Sequence, residues 1–286
     1  MNGEPTIREL TLDSDEGLPI RCTLLIPEHA RGLVVLIHGF KGFRQWGFFP
    51  WLSEQLAGHG LAACRFDMSR NGVGDDPETF ERLDLFADDT YSTQLADLRT
   101  VIEALRAQDG LADLPMFLFG HSRGGAIALL GSRDDDSIQA VVTWSAIANL
   151  NRWDEDEVAE WKRRGFQEIV NSRTEQVMKV STRLLEDLEA NAATLDLDRC
   201  LDELTTPLLV VHGLTDETVD VADAIRIAQS VDGSSSLLLG GASHTLNAIH
   251  PLVTVPDALS IAASTSAHFI LSHCSLRHKM LRHSQD

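Results

Sequence analysis

Five short apolar runs, at residues 33–37, 61–66, 115–119, 140–145 and 207–212, constrain this chain most, because each stops at a polar residue or glycine and helical periodicity separates several of them. Runs this continuous fit strands buried on both faces of a parallel sheet, not strands with one wet face. Pro50 suits the first turn of a helix that carries Trp51, Leu52 and Leu56 and is ended by Gly58 and Gly60. A longer helix is expected over 87–107, with Leu95, Leu98, Ile102 and Leu105 on one face. Period-two alternation at Leu18, Ile20, Cys22, Leu24 and Ile26 predicts that 18–26 pairs with 6–12 as an antiparallel opening. A strand at 237–239 and a helix over 256–272 close the pattern. The order implies an α/β fold: a mostly parallel central sheet with helices on both faces, and residues 1–286 as one domain.

The interval between the strands at 140–145 and 207–212 holds about 60 residues, several times what one crossover needs. Residues 146–205 are therefore expected to form a helical lid inserted in the domain. Ser172 and Glu175 have capping-box spacing ahead of a helix whose apolar positions are Val177, Val180, Leu184 and Leu188.

With 43 acidic and 24 basic residues the net charge is -19, which repels nucleic-acid phosphates and anionic lipid, so neither is an expected partner. No apolar run is long enough to span a bilayer, and the N-terminal stretch with Glu4, Pro5, Arg8 and Glu9 lacks the apolar core of a signal peptide. Cys22, Cys64, Cys200 and Cys274 show no C-x-x-C spacing and fit reduced thiols in a cytoplasmic protein. Arg277, Lys279 and Arg282 make a short basic tail, read as solvated. Histidines at 268, 273, 278 and 283 recur in steps of five, which do not share a helix face, so no metal site is expected.

Chemistry concentrates at Gly120-His121-Ser122-Arg123-Gly124. An apolar strand runs straight into this G-x-S-x-G and a small-residue helix leaves it, as a nucleophile elbow requires. A serine hydroxyl is nearly inert at neutral pH, so a base must take its proton and a third group must hold that base in one tautomer. His244, after the last strand, supplies the base. Asp216, after the strand at 207–212, supplies the orienting acid, with Glu217 and Asp220 as rivals in the same loop. All three follow strand ends, so they converge on one edge of the sheet. The oxyanion of a tetrahedral intermediate needs backbone donors: the N–H of Arg123, next to the nucleophile, and the N–H of Phe40 in His38-Gly39-Phe40-Lys41-Gly42. His38 is expected to shape that loop, and His121 to pack or to hydrogen-bond backbone. Asp67 and Asp75 are better explained as loop stabilisers than as substrate contacts. The Arg123 guanidinium is expected to pair with an acidic side chain in preference to reaching an anionic substrate.

These segments, with Phe66-Asp67-Met68-Ser69-Arg70-Asn71-Gly72-Val73-Gly74 and Gly241-Ala242-Ser243-His244, resemble the α/β-hydrolase superfamily, and within it the dienelactone-hydrolase-like and feruloyl or cinnamoyl esterase-like branches. The resemblance implies acyl-ester hydrolysis without a metal or organic cofactor, by way of an acyl-enzyme at Ser122, and leaves the acyl group open. The complete triad and both oxyanion candidates give the expectation of a serine hydrolase acting on small to medium uncharged esters, aromatic acyl esters among them. Arg123 departs from the Gln or Met more common there. Two other functions fit the same residues: an amide or peptide hydrolase, with an amine-binding carboxylate among Asp154 to Glu157 or Glu160, and a non-catalytic binding protein. A homo-oligomer is compatible with the sequence.

Overall fold

Leu33, Val35 and Ile37 pack into one buried cluster while Val34 and Leu36 pack into another. This segment, β3 (Leu33–Ile37), thus has core on both sides, as its unbroken apolarity predicts. The computed structural model describes residues 3–76, 79–133 and 135–274. Around β3 the chain runs β1 (Thr6–Asp13), β2 (Pro19–Ile26), α1 (Phe49–Gly58), β4 (Ala62–Phe66), α2 (Leu83–Ala87), α3 (Tyr91–Arg106), β5 (Met116–His121), α4 (Arg123–Arg133) and β6 (Ile138–Trp144). After an insertion come β9 (Leu208–Gly213), α8 (Val221–Ser230), β10 (Ser235–Leu239) and α9 (Asp257–His273). The sheet order is β1-β2-β4-β3-β5-β6-β9-β10. β2 is antiparallel to both its neighbours, and pairing is parallel from β4 to β10. One-directional pairing sends the ends of β5, β9 and β10 to the same edge.

The helix expected to start at residue 87 starts at Tyr91 instead. Thr90 is extended (φ -131°, ψ 163°) and accepts from the Thr93 amide at 3.2 Å, so α3 begins at Tyr91 and α2 is a separate short turn.

Between β6 and β9 the chain forms α5 (Glu155–Arg164), β7 (Phe166–Val170), β8 (Val177–Ser181), α6 (Arg183–Ala190) and α7 (Leu197–Glu203). Asp154 and Glu157 form a reciprocal capping box on α5, which Gly165 ends at φ 80°. The helix expected to carry Val177 and Val180 is corrected here: those residues lie on β8, paired antiparallel with β7, and the helix starts only at Arg183. Met178 and Val180 are buried while Val177 and Lys179 are exposed, a period of two that the helical spacing of Val177, Val180 and Leu184 masks. Ser172 and Glu175 sit in the hairpin turn, where Glu175 takes φ 58°.

Candidate active site

β5 ends at His121 and α4 begins at Arg123, leaving Ser122 as the single residue of a sharp turn. Its φ of 57° is a conformation that a non-glycine residue adopts only when its surroundings impose it. The Ser122 amide donates to the Trp144 carbonyl at 2.9 Å and the Ser122 carbonyl accepts from Gly125 at 3.0 Å, which fixes the turn from both sides. A Cβ on Gly120 would collide with the Gly124 backbone, and one on Gly124 with the carbonyls of Ile37 and His38, so both glycines permit backbone-to-backbone approach.

At the ends of the neighbouring strands, His244 Nδ1 lies 2.8 Å from Asp216 Oδ2. The other Asp216 oxygen accepts the amides of Thr218 (2.8 Å) and Val219 (2.9 Å). Burial works against this carboxylate, but the hydrogen bonds from His244, Val219 and Thr218 outweigh it and bring its pKa to about 2. An ionised Asp216 accepts the Nδ1 proton of His244 and leaves the Nε2 lone pair directed away from the carboxylate. Of the rivals, Asp220 caps α8, where it accepts from the Ala222 amide, and Glu217 is exposed. The buried His212 bonds the Val219 carbonyl at 2.9 Å and lies 3.4 Å from Asp216.

Ser122 and His244 line one cavity, of about 790 Å³. The Ser122 hydroxyl is not hydrogen-bonded to the imidazole, a contact that in unliganded hydrolases commonly tightens only around substrate. His121, adjacent to Ser122, reaches across to His244: its Nε2 is 3.0 Å from the His244 carbonyl oxygen. Burial, reinforced by the nearby His244 ring, lowers the His121 pKa to about 3, so His121 is neutral and donates this bond.

Phe40 and Arg123 both border the cavity beside Ser122. His38 holds the loop, with Nδ1 2.9 Å from the Gly39 carbonyl and Nε2 accepting from the Met68 amide at 3.3 Å. The Arg123 guanidinium lies between two rings, 4.1 Å from the centroid of Phe40 and 4.8 Å from that of Tyr91, and 3.9 Å from the Asp89 carboxylate. One side chain thereby ties together the two residues whose amides are the oxyanion candidates. Burial lifts Asp89 to about 7, against the pull of Arg123 and of the hydrogen bond from Gln94. Asp67 is taken up by Arg44 and Asn71, and Asp75 by Arg21; neither borders the cavity.

The insertion contributes Trp153, Trp161, Ile169, Val180 and Leu184 to the wall. Trp153 and Trp161 meet edge to face at 5.0 Å, and Trp161 Nε1 donates to the Val180 carbonyl at 2.9 Å. These residues were legible only as apolar, since nothing local marks which apolar side chains turn toward a cavity. Lys41 and Arg152 also face it and have no motif of their own. No helix among the described residues is long and apolar enough to cross a membrane, and none of their His, Cys, Asp and Glu groups is arranged to hold a metal ion. His278, His283 and the basic tail at Arg277, Lys279 and Arg282 lie outside the described residues.

Dienelactone hydrolase from Anabaena variabilis shares the fold with a TM-score of 0.64 at 18% identity, over 95% of this chain and 99% of that one. Est1E from Butyrivibrio proteoclasticus does so with a TM-score of 0.68 at 20% identity, over 93% of this chain and 99% of that one. By sequence, 2,6-dihydropseudooxynicotine hydrolase of Paenarthrobacter nicotinovorans is 26% identical over 212 residues, which are 73% of this chain and 50% of that protein. The chain spans half or less of the length of the curated relatives it matches. The family model described as serine aminopeptidase, S33, matches residues 28–192. With this match and the architecture above, the chain belongs to that family of hydrolases, within the α/β-hydrolase superfamily.

Proposed function

We propose that this protein is a carboxylic ester hydrolase that works through an acyl-enzyme on Ser122. The observation that carries the reading is the 2.8 Å His244–Asp216 hydrogen bond beside a strained Ser122 on one cavity. In this mechanism the Ser122 hydroxyl attacks the ester carbonyl while His244 Nε2 takes its proton. The carbonyl oxygen becomes an oxyanion that the amides of Phe40 and Arg123 receive. His244 returns the proton to the departing alcohol, leaving the acyl group on Ser122. Water, deprotonated by His244, then releases the acid and restores the hydroxyl. Asp216 stays ionised throughout and stabilises the imidazolium. Residues 146–205 act as a lid that covers the acyl group with Trp153 and Trp161.

The names of the structural neighbours, an esterase among them, agree with this reading. Peptide hydrolysis from a free amino terminus, which the family's description suggests, needs a carboxylate to receive the ammonium group. The Asp154 and Glu157 side chains are engaged in the capping box and Glu160 pairs with Arg163, so the wall offers none that is uncommitted. The test is covalent labelling with a fluorophosphonate. The reading expects one adduct, on Ser122, and none in Ser122→Ala; labelling elsewhere, or no labelling, contradicts it.

A further inference from the structure

The wall of this cavity carries the wrong charge for its chain. Acidic residues outnumber basic ones 43 to 24 overall. Yet the residues bordering the cavity include four cations, Lys41, Arg123, Arg152 and Arg173, and one carboxylate, Glu157. Glu157 accepts the Asp154 amide at 3.0 Å at the start of α5, is exposed, and is one charge against four. Arg123 is already held by Asp89 and by its two rings. Arg173 lies over Phe43 and Phe80.

Lys41 and Arg152 are different. Among the described residues neither is in an ion pair; Arg152 donates one hydrogen bond, from Nη2 to the Thr218 carbonyl at 3.1 Å. Lys41 follows the oxyanion candidate Phe40, at φ 60°, and is half-buried. Burial alone lowers its pKa, with no carboxylate offsetting that loss of water. Thr218, to which Arg152 is tied, also bonds Asp216, so Arg152 stands on the triad side of the cavity and Lys41 on the oxyanion side. Lys41 is half-buried and Arg152 is exposed at the cavity's rim, and cations that line a cleft focus potential and favour a ligand of opposite charge.

We propose that the substrate is an anionic ester, one bearing a carboxylate besides the scissile ester group, and that Lys41 and Arg152 receive that carboxylate. The inference rests on Ser122 as the nucleophile. It departs from the uncharged ester expected from the sequence, and it sets the cavity apart from the acidic surface of the rest of the chain.

The test compares two matched pairs of esters at the same ionic strength. In one pair the charge is in the acyl half: mono-p-nitrophenyl adipate against the ester in which an isopropyl group replaces its carboxylate. In the other it is in the alcohol half: the butyrate ester of p-hydroxybenzoate against that of p-hydroxybenzamide. Spontaneous hydrolysis is subtracted with the Ser122→Ala protein. The proposal expects kcat/KM to favour the anion in at least one pair by about tenfold to a hundredfold, the range of a hydrogen bond to a charged group. That ratio should shrink as salt is raised. It should fall about tenfold or more in Lys41→Gln and in Arg152→Gln, and be largely kept in Lys41→Arg. Reading the ratio within each variant cancels any common loss of rate. Ser122-dependent hydrolysis with no anion preference in either pair, or with a preference that both Gln variants keep, overturns the inference and leaves the esterase reading standing. Equal losses on both members of a pair would also overturn it, because Lys41 would then be serving the oxyanion. No Ser122-dependent hydrolysis of any ester would overturn both.

Discussion

His121 donates a hydrogen bond from Nε2 to the backbone carbonyl of His244 at 3.0 Å, so the residue beside the candidate nucleophile holds the loop of the candidate base. The ring is neutral near pH 7, with its pKa lowered to about 3 by burial, and carries the proton this bond needs. His121→Ala should lower kcat about three- to tenfold, the worth of one neutral hydrogen bond, with KM changed less. His121→Gln should recover part of the loss. An unchanged kcat in His121→Ala would show that His244 is positioned without it.

Arg123 joins the two oxyanion residues through its contact with Phe40, at 4.1 Å from the ring centroid. Arg123→Met keeps the backbone amide but loses the stacked charge and should reduce kcat by about tenfold, in the range of one partly desolvated cation–π contact. Arg123→Lys, which has a charge but no planar face, should fall between. Equal loss in KM and none in kcat would assign Arg123 to substrate binding instead.

Asp89 has a folded pKa of about 7, raised from 3.8 chiefly by burial. A group that holds its proton more tightly when folded destabilises the fold as pH rises from its unfolded value to its folded one. Asp89→Asn should therefore gain thermal stability over the natural protein steadily between about pH 4 and pH 7, and no further above that. Asp216 runs the other way: with its pKa lowered to about 2, its ionised form contributes stability that is complete above the ordinary value of 3.8 and lost as pH falls through about 2. Thermal melts of the natural protein, Asp89→Asn and Asp216→Asn across the acidic range check both signs.

Gly124→Ala tests the elbow by stability, apart from chemistry. Its Cβ would meet the carbonyls of Ile37 and His38, backbone that cannot swing aside as a side chain would. The variant should lose about 1–3 kcal/mol or more, read as a fall in the denaturation midpoint. A neutral substitution would mean that β3 and α4 are less closely packed.

The centre of the sheet was legible because β3, β4, β5, β6 and β9 are buried on both faces, and unbroken apolarity has one good explanation there. The candidates Ser122 and Asp216 stood out for a related reason, since each comes shortly after such a strand, whereas His244 follows β10, whose residues are exposed or half-buried. The hairpin of β7 and β8 was not: Val177, Val180 and Leu184 satisfy helical spacing, and only the burial of Met178 between two exposed neighbours separates strand from helix. The start of α3 was placed four residues early because Ala87 is itself a helix former, whereas the cap is Thr90, after Asp88 and Asp89. Nothing in the sequence separates Lys41 and Arg152 from other cations; what distinguishes them is that both border the cavity and, among the described residues, neither is in an ion pair, where the chain as a whole is rich in acid.

The most direct check on the account is turnover of a p-nitrophenyl ester by the natural protein, Ser122→Ala, His244→Ala and Asp216→Asn, with folding verified for each. With Ser122 as nucleophile and His244 as base, kcat should fall by about 10⁴-fold or more in the first two, and somewhat less in Asp216→Asn. Hydrolysis that persists in folded Ser122→Ala at a rate near that of the natural protein would contradict it.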